Sequence, residues 1–458
     1  MPQQATKTLV QAEKSSSSST RGPLGLVFLT VFLDLIGFSI LFPLFPDMLE
    51  HYLGREGPDS LVGRLVARLT EIVAGRPGAD FAVVVLFGGI LGSLYSILQF
   101  LFAPLWGALS DRIGRRPTLL VTLFGTAVSY LAWFFAGSFS LLVLSRILGG
   151  IMAGNVSTAS AVVADISAPR DRAKNMAVIG IAVGLGFVLG PALGGLAHRY
   201  LDVLGTLGPD AASYGINPFS GPALVALLLA LLNFAWAAAR FPETRAAHAV
   251  EPGAHRAKLA PFAALREIAR PGVTTANLVY LTYAIAFAAM EFTLVFLAAE
   301  RLDFGPLQNA WMFVFIGLTI AFVQGGFVRR MAPKMGERKL CRIGLVLLIP
   351  GFLLTGAATT VPMLYGGLFL LAAGSALEMP TLSALVSLYA SDQHQGLALG
   401  SFRSMGALSR AIGPLLGAGL YWSLAPWAPY YLGAAFLLIP LMLSAKLPDP
   451  PERPETAS

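Results

Sequence analysis

Charge is what this chain has least of. Of its 458 residues only 12% are Asp, Glu, Lys or Arg, about half the share usual in soluble proteins. So few charges could not cover the water-facing surfaces of the several soluble domains that this length would otherwise make. Cysteine is nearly missing too: Cys341 stands alone, which excludes a disulfide scaffold. The five histidines, His51, His198, His248, His255 and His394, share no metal-ligand spacing. What is there is apolar. Hydrophobic residues make up 55% of the chain and mean hydropathy is +0.69, which excludes disorder. Gly (48) and Pro (30) are frequent inside apolar sequence, as membrane helices tolerate. The proportions point to an all-α, multi-pass membrane protein surrounded by a lipid bilayer.

A helix needs about 20 apolar residues to cross the hydrocarbon layer. Twelve stretches qualify: 24–46, 82–106, 118–136, 140–165, 175–197, 222–240, 273–299, 306–328, 340–358, 361–388, 396–421 and 429–446. They do not alternate as barrel strands would. With the N-terminus inside, the inner segments hold 23 of the loop Lys and Arg, and the outer ones six, Arg55, Arg64, Arg68, Arg76, Arg199 and Arg301. That bias sets an N-in, C-in topology. It also accounts for most of the net charge of +7, leaving little reason to expect a nucleic-acid partner.

Residues 1–23, with serines from Ser15 to Ser19, read as a flexible cytoplasmic tail, and 447–458 as a second. The first apolar run is full length and lacks a small-residue cleavage site, so it is expected to remain as a span. Residues 24–240 read as one six-helix bundle and 272–446 as another, joined by a cytoplasmic connector at 241–271. The loop 47–80 is long. Within it Leu61, Leu65, Leu69 and Ile72 recur at helical spacing, opposite Arg64, Arg68 and Glu71. The helix lies either on the outer membrane interface or packed on the bundle.

The two bundles read as copies. Gly190-Pro191-Ala192-Leu193-Gly194 recurs as Gly413-Pro414-Leu415-Leu416-Gly417, and Gly114-Arg115-Arg116 as Gly336-Glu337-Arg338. Leu26 to Thr30 resembles Leu278 to Thr282, with a wider offset that matches the long loop. Parallel repeats suit a transporter whose site lies between them near the midplane.

Three motifs carry mechanism. Between spans two and three stands Gly107-Ala-Leu-Ser-Asp111-Arg112-Ile-Gly114-Arg115-Arg116-Pro117. In span five Gly186, Gly190 and Gly194 share a helix face beside Pro191, so another backbone could approach closely. Span one holds Asp34 and Gly37 ahead of Pro43 and Pro46, and span four holds Arg146, Gly150 and Gly154 at four-residue steps. The first motif resembles the signature loop of the major facilitator superfamily. Together they resemble its twelve-span drug/proton antiporter branch, the group of tetracycline-resistance and tetracycline-transporter-like proteins. The resemblance covers about 24–446. It implies two six-helix halves, and a conformational latch formed by Gly107, Asp111, Arg112, Gly114, Arg115 and Arg116 with Asp165 at the end of span four. It links Arg146 to proton coupling. The plainer alternatives are that the arginines only set topology and the glycines only serve packing.

Six charges fall inside spans: Asp34, Glu291 and Glu378 against Arg146, Arg403 and Arg410. Such residues are costly in a bilayer and mark function by default. A carboxyl gains proton affinity when desolvated and loses it beside an arginine, so a switching environment can load and release a proton. Any of the three acids could carry it, with an arginine as partner; the alternative is static buried pairing. The repeat sets Glu378 opposite Asn155, both expected to face a central cavity. Tyr95, Gln99, Asn277, Tyr283, Phe287, Trp311, Gln324 and Phe402 are further candidates for its walls. Three acids against three arginines predict no net sign for the cavity.

No nucleophile elbow and no GxxxxGK[ST] loop is present, so neither an enzyme nor a nucleotide-driven pump is expected. The resemblance implies no cofactor and a proton gradient as energy source. The reading is a monomeric exporter of a small amphipathic molecule by proton antiport, in the plasma (inner) membrane. Alternatives are a facilitator or symporter of a polar metabolite or organic anion, and a transport-incompetent receptor.

Overall fold

The computed structural model describes residues 23–73, 79–167, 172–244, 271–390 and 395–449, and helix is the only regular structure among them. Nearly all of the expected tails and connector lie outside the described residues. Eleven of the described helices are long and apolar enough to cross a membrane. The expected stretch 396–421 is a further continuous helix, Gln395–Ser423, whose Arg403 and Arg410 lower its mean hydropathy.

The first half comprises α1 (23–39), α2 (Phe45–Glu56), α3 (Leu61–Val73), α4 (Ala79–Ile113), α5 (Arg115–Phe134), α6 (Phe139–Met152), α7 (Asn155–Ile166), α8 (Arg172–Tyr200) and α9 (Ser220–Arg240). The second comprises α10 (Pro271–Leu302), α11 (Pro306–Phe322), α12 (Glu337–Gly356), α13 (Val361–Tyr389), α14 (Gln395–Ser423), α15 (Ala428–Phe436) and α16 (Leu438–Ala445).

Two boundaries differ from expectation. The first span does not end at residue 46. It bends through the turn Phe42–Leu44 and runs on as α2 to a cap at Gly57, whose φ is +77°. Met48, Leu49 and Tyr52 are buried, and the Tyr52 hydroxyl donates to the Ala136 carbonyl at 2.6 Å. Asp47, Glu50, His51 and Arg55 interleave with that apolar face and mask it from a hydropathy reading. Span four is not continuous either. It breaks at Ala153-Gly154, between α6 and α7. The Trp106 indole of α4 donates to the Ile151 carbonyl at 2.6 Å and the Gln99 amide donates to Ala153 at 3.4 Å. Those bonds satisfy carbonyls near the break that would otherwise be orphaned.

Within the long loop, α3 buries Val62 and Leu69 against α4 and α6, while Arg64, Arg68 and Glu71 stay exposed. Leu65 and Val66 are half-buried and Leu61 is exposed, so the helix packs on the bundle with part of its apolar face.

The sequence repeat has a structural counterpart. α5 starts after Gly114 (φ +106°) and α12 after Gly336 (φ +76°), both in the left-handed region that favours glycine. Pro191 lies inside α8 and Pro414 inside α14. Near each proline the helix presses on the first helix of its own half. A Cβ at Gly194 would overlap the Ile40 carbonyl, and one at Gly417 would come 2.5 Å from that of Ala289. Outward, Leu105, Phe124, Leu144, Leu228, Leu318 and Phe322 are exposed apolar side chains, the surface a lipid-facing belt requires.

The halves meet along two seams at the end of the molecule that carries Asp47. On one, α8 crosses α11, with Gly195 against Pro306 and Ala310 and Val188 against Gly317. On the other, α4 crosses α14, where a Cβ at Gly89 would lie 2.8 Å from that of Ala418. Phe45 and Phe292 close the middle, their ring centroids 6.2 Å apart.

Candidate functional site

Behind those seams, bounded by α8, α10, α11, α13 and α14, is a chamber with about 990 Å³ of unfilled space. It continues into a second space of about 840 Å³, the two sharing Val183, Gly184, Tyr280, Ile320, Met379 and Arg410. The walls of the larger space are apolar and aromatic: Phe187 from the first half, Tyr280, Tyr283, Phe287 and Phe313 from the second. Tyr280 stacks on Phe402 with centroids 4.0 Å apart. The ionisable groups other than tyrosine are few. Glu291 and Arg410 line the larger part, and Arg403 and Arg410 the smaller.

Their placement follows from local sequence. Arg403 and Arg410 are two turns apart on α14, on nearly the same face. Gly413 and Gly417 let α14 lie directly on the backbone of α10, and that contact aims the arginines inward. The Arg410 guanidinium sits 5.5 Å from the Phe187 ring centroid, so a cation of one half rests on an aromatic face of the other.

The other three intramembrane charges lie elsewhere. Asp34, buried on α1, accepts a hydrogen bond from the Asn155 amide at 2.8 Å, and the Asn155 oxygen accepts one from the Thr122 hydroxyl. That chain ties α1, α5 and α7 together. Arg146 is buried on α6 over three rings: Tyr95 at 5.7 Å, Tyr130 at 5.9 Å and Trp133 at 5.3 Å. Its Nε and one Nη find no hydrogen-bond acceptor among the described residues. Glu378 is buried between α12 and α13, where the Cys341 thiol donates to it at 3.5 Å.

The structure thus divides what the sequence left together. Of the expected wall residues, Tyr283, Phe287, Gln324 and Phe402 line the chamber, and the Tyr283 hydroxyl and the Ser375 hydroxyl are 3.0 Å apart. Tyr95, Gln99 and Asn277 do not line it; Tyr95 lies under Arg146, Gln99 braces the break in span four and Asn277 is buried on α10. Asn155 and Glu378 do not meet across a central cavity, because each has its partner inside its own half. Trp311 is 55% exposed on the outer surface of α11. Among the described residues the ionisable groups at the chamber, tyrosines aside, are Glu291, Arg403 and Arg410.

The signature loop folds around Arg115. Its Nε donates to Asp165 at 2.8 Å and its Nη1 to the Ser110 hydroxyl at 2.7 Å. Gly107 lies close to Ser157 of α7, while Arg112 and Arg116 are exposed. The Asp111 side chain lies outside the described residues. The sequence reading missed Glu243. Its carboxylate accepts the backbone N–H groups of Arg115 at 3.0 Å and Arg116 at 3.1 Å, and Arg116 donates to the Ala238 carbonyl at 2.7 Å. A carboxylate at a helix N-terminus is favoured by the orphan N–H groups and the helix dipole. The available signal was an acid just after span six on the same side as Gly114.

The span-five glycines face α1. A Cβ at Gly186 would lie 2.6 Å from that of Leu35, and one at Gly190 would lie 2.7 Å from the Ile36 carbonyl. The Ser39 hydroxyl donates to the Gly186 carbonyl at 3.1 Å.

Comparison with known proteins places these features. The sequence profile described as Major Facilitator Superfamily matches residues 27–336 and 327–458. Major facilitator superfamily domain-containing protein 10 of Mus musculus is 38% identical over 451 residues, covering 95% of each chain. The crystal structure of the human organic anion transporter MFSD10 (TETRAN) is similar with a TM-score of 0.74 at 37% identity, over 93% of this chain and 99% of that one. The class G tetracycline resistance protein of Vibrio anguillarum is 29% identical over 397 residues, covering 86% of this chain and 89% of that protein.

Proposed function

Because this chain belongs to the major facilitator superfamily, we propose that it is a secondary transporter that carries organic anions across a membrane by alternating access. One observation carries the reading: an apolar, aromatic-walled chamber lined by Arg410 and, in its smaller part, by Arg403. A cation in an apolar surrounding is costly. An anion that enters offsets that cost and gains charge-assisted hydrogen bonds. The aromatic walls suit a substrate with an apolar body beside its anionic group. The 37% identical solved relative is an organic anion transporter, which supports the same class.

The lysine and arginine bias assigns the Arg115 end to the cytoplasm. The end closed by the glycine seams is then the outer one, and the chamber serves the inner side in this state. Arg115, Asp165 and Glu243 form the latch that exchanges it with the opposite state. The protein works as a monomer in the plasma membrane, with a proton gradient as its energy source.

Purified protein in proteoliposomes tests this. Uptake of aryl carboxylates, but not of tetraphenylphosphonium, is the expected result, and loss of that uptake in Arg410→Gln accompanies it. Drug export by proton antiport is the second reading, favoured by the likeness to a tetracycline resistance protein. Tetracycline movement against an imposed proton gradient, without anion flux, would replace the first reading with the second.

A further inference from the structure

Only one of the three intramembrane acids shares a space with the substrate-facing arginines. Glu291 on α10 lines the chamber with Arg410 of α14, and Arg410 is the charged side chain it feels. Asp34 is bonded to Asn155 and Glu378 to Cys341, away from the chamber walls. Glu291 and Arg410 are within electrostatic reach yet make no ion pair closer than 4.0 Å. The carboxylate therefore offsets the Arg410 charge without occupying its hydrogen-bond donors. An incoming anion meets both Arg410, whose guanidinium lies over Phe187 in the chamber wall, and a carboxylate that repels it.

The remaining groups around Glu291 do not change this. Tyr280 and Tyr283 stand on its own helix, and Tyr95 of α4 lies within electrostatic reach of Arg410. Glu378 of α13 reaches the neighbourhood only through Tyr283. The chamber residues of α8 and α11 carry no titratable group.

We propose that Glu291 is the proton site and that its proton and the substrate anion bind together. The inference rests on the organic-anion reading. Placing a proton on Glu291 removes the one negative charge facing the anion and leaves Arg410 uncompensated, so each ligand raises the affinity for the other. A monoanion and a proton then cross as an electroneutral pair in the same direction. The chamber geometry thus makes the cycle a symport. In an antiport cycle, proton and substrate would exclude each other from the site.

The experiment uses purified full-length protein and 2-naphthoate as probe. Its Kd is measured from mildly acidic to mildly alkaline pH for the native chain, Glu291→Gln, Asp34→Asn and Glu378→Gln. The native protein should bind at least about fivefold more tightly at the acidic end, the lower range of allosteric coupling. Glu291→Gln should bind tightly throughout, with no pH dependence, and the other two variants should keep the native dependence. In weakly buffered solution near neutral pH, the native protein should take up protons as it binds naphthoate. This readout needs no variant to fold. Native binding that ignores pH, proton release on binding, or a native pH profile in Glu291→Gln overturns the inference and leaves the anion reading standing. No naphthoate binding at any pH overturns both.

Discussion

Replacing Gly195 by leucine should open the end of the molecule that carries Asp47. There α8 crosses α11 so closely that a Cβ at 195 would overlap the Pro306 carbonyl and lie 2.7 Å from the Ala310 Cβ. The obstacle is backbone at a helix start, and it cannot swing aside as a side-chain tip could. Overpacking of this kind costs about 1–3 kcal/mol. The cost falls on the closed state, because the seam exists only while the halves are together. About 2 kcal/mol moves a two-state balance about thirtyfold. Hydrogen exchange of the backbone amides around 195–200 and 306–310 reads the change directly. The expected result is faster exchange at both segments, with the amides of α5 and α9 unaffected. Gly419→Ala is the control, since nothing lies within 4 Å of a Cβ there. A folded Gly195→Leu protein with native exchange at both segments would refute the idea that this seam holds the end shut.

Three further outcomes are expected. Asp165→Asn should lower thermal stability by about 1–3 kcal/mol, because the buried Arg115 loses its carboxylate partner, and should reduce the transport rate at saturating substrate while ligand Kd stays within twofold. Glu243→Ala should destabilise by about 0.5–2 kcal/mol, the worth of a helix cap, and thermal denaturation of the purified protein measures it. Asn155→Leu should cost about 1–3 kcal/mol, because the buried Asp34 loses its donor. The double variant Asp34→Leu/Asn155→Leu should recover part of that loss in the same melting assay.

The membrane class and most span positions were readable because length and hydropathy are summed over whole helices, and no single contact decides them. The repeat was readable for a related reason: Gly114 and Gly336 each start a helix from a conformation that glycine adopts most easily. Pairings were not readable. Glu243 and Arg115 are far apart in the chain, and nothing local to either announces the other. The extension of the first span through Tyr52 was hidden because buried and exposed residues alternate along α2. The charges inside spans showed their importance but not their division. Whether an acid in a helix turns to its own bundle or to the chamber depends on the rotation of that helix. Asp34 is turned by Asn155 and Glu378 by the α12 packing, while Glu291 has no such partner among the described residues of its own half.

The scarcity of cysteine gains a practical meaning from where Cys341 sits. It is fully buried on α12 against Glu378, so a water-borne thiol reagent has no native target on the folded surface. The wild-type chain therefore already serves as a silent background for site-directed labelling. A single cysteine introduced at an exposed position such as Tyr200 or Tyr214 would be the sole reactive thiol. Probes for distance or fluorescence can be attached there without first removing the native residue and disturbing the acid it touches.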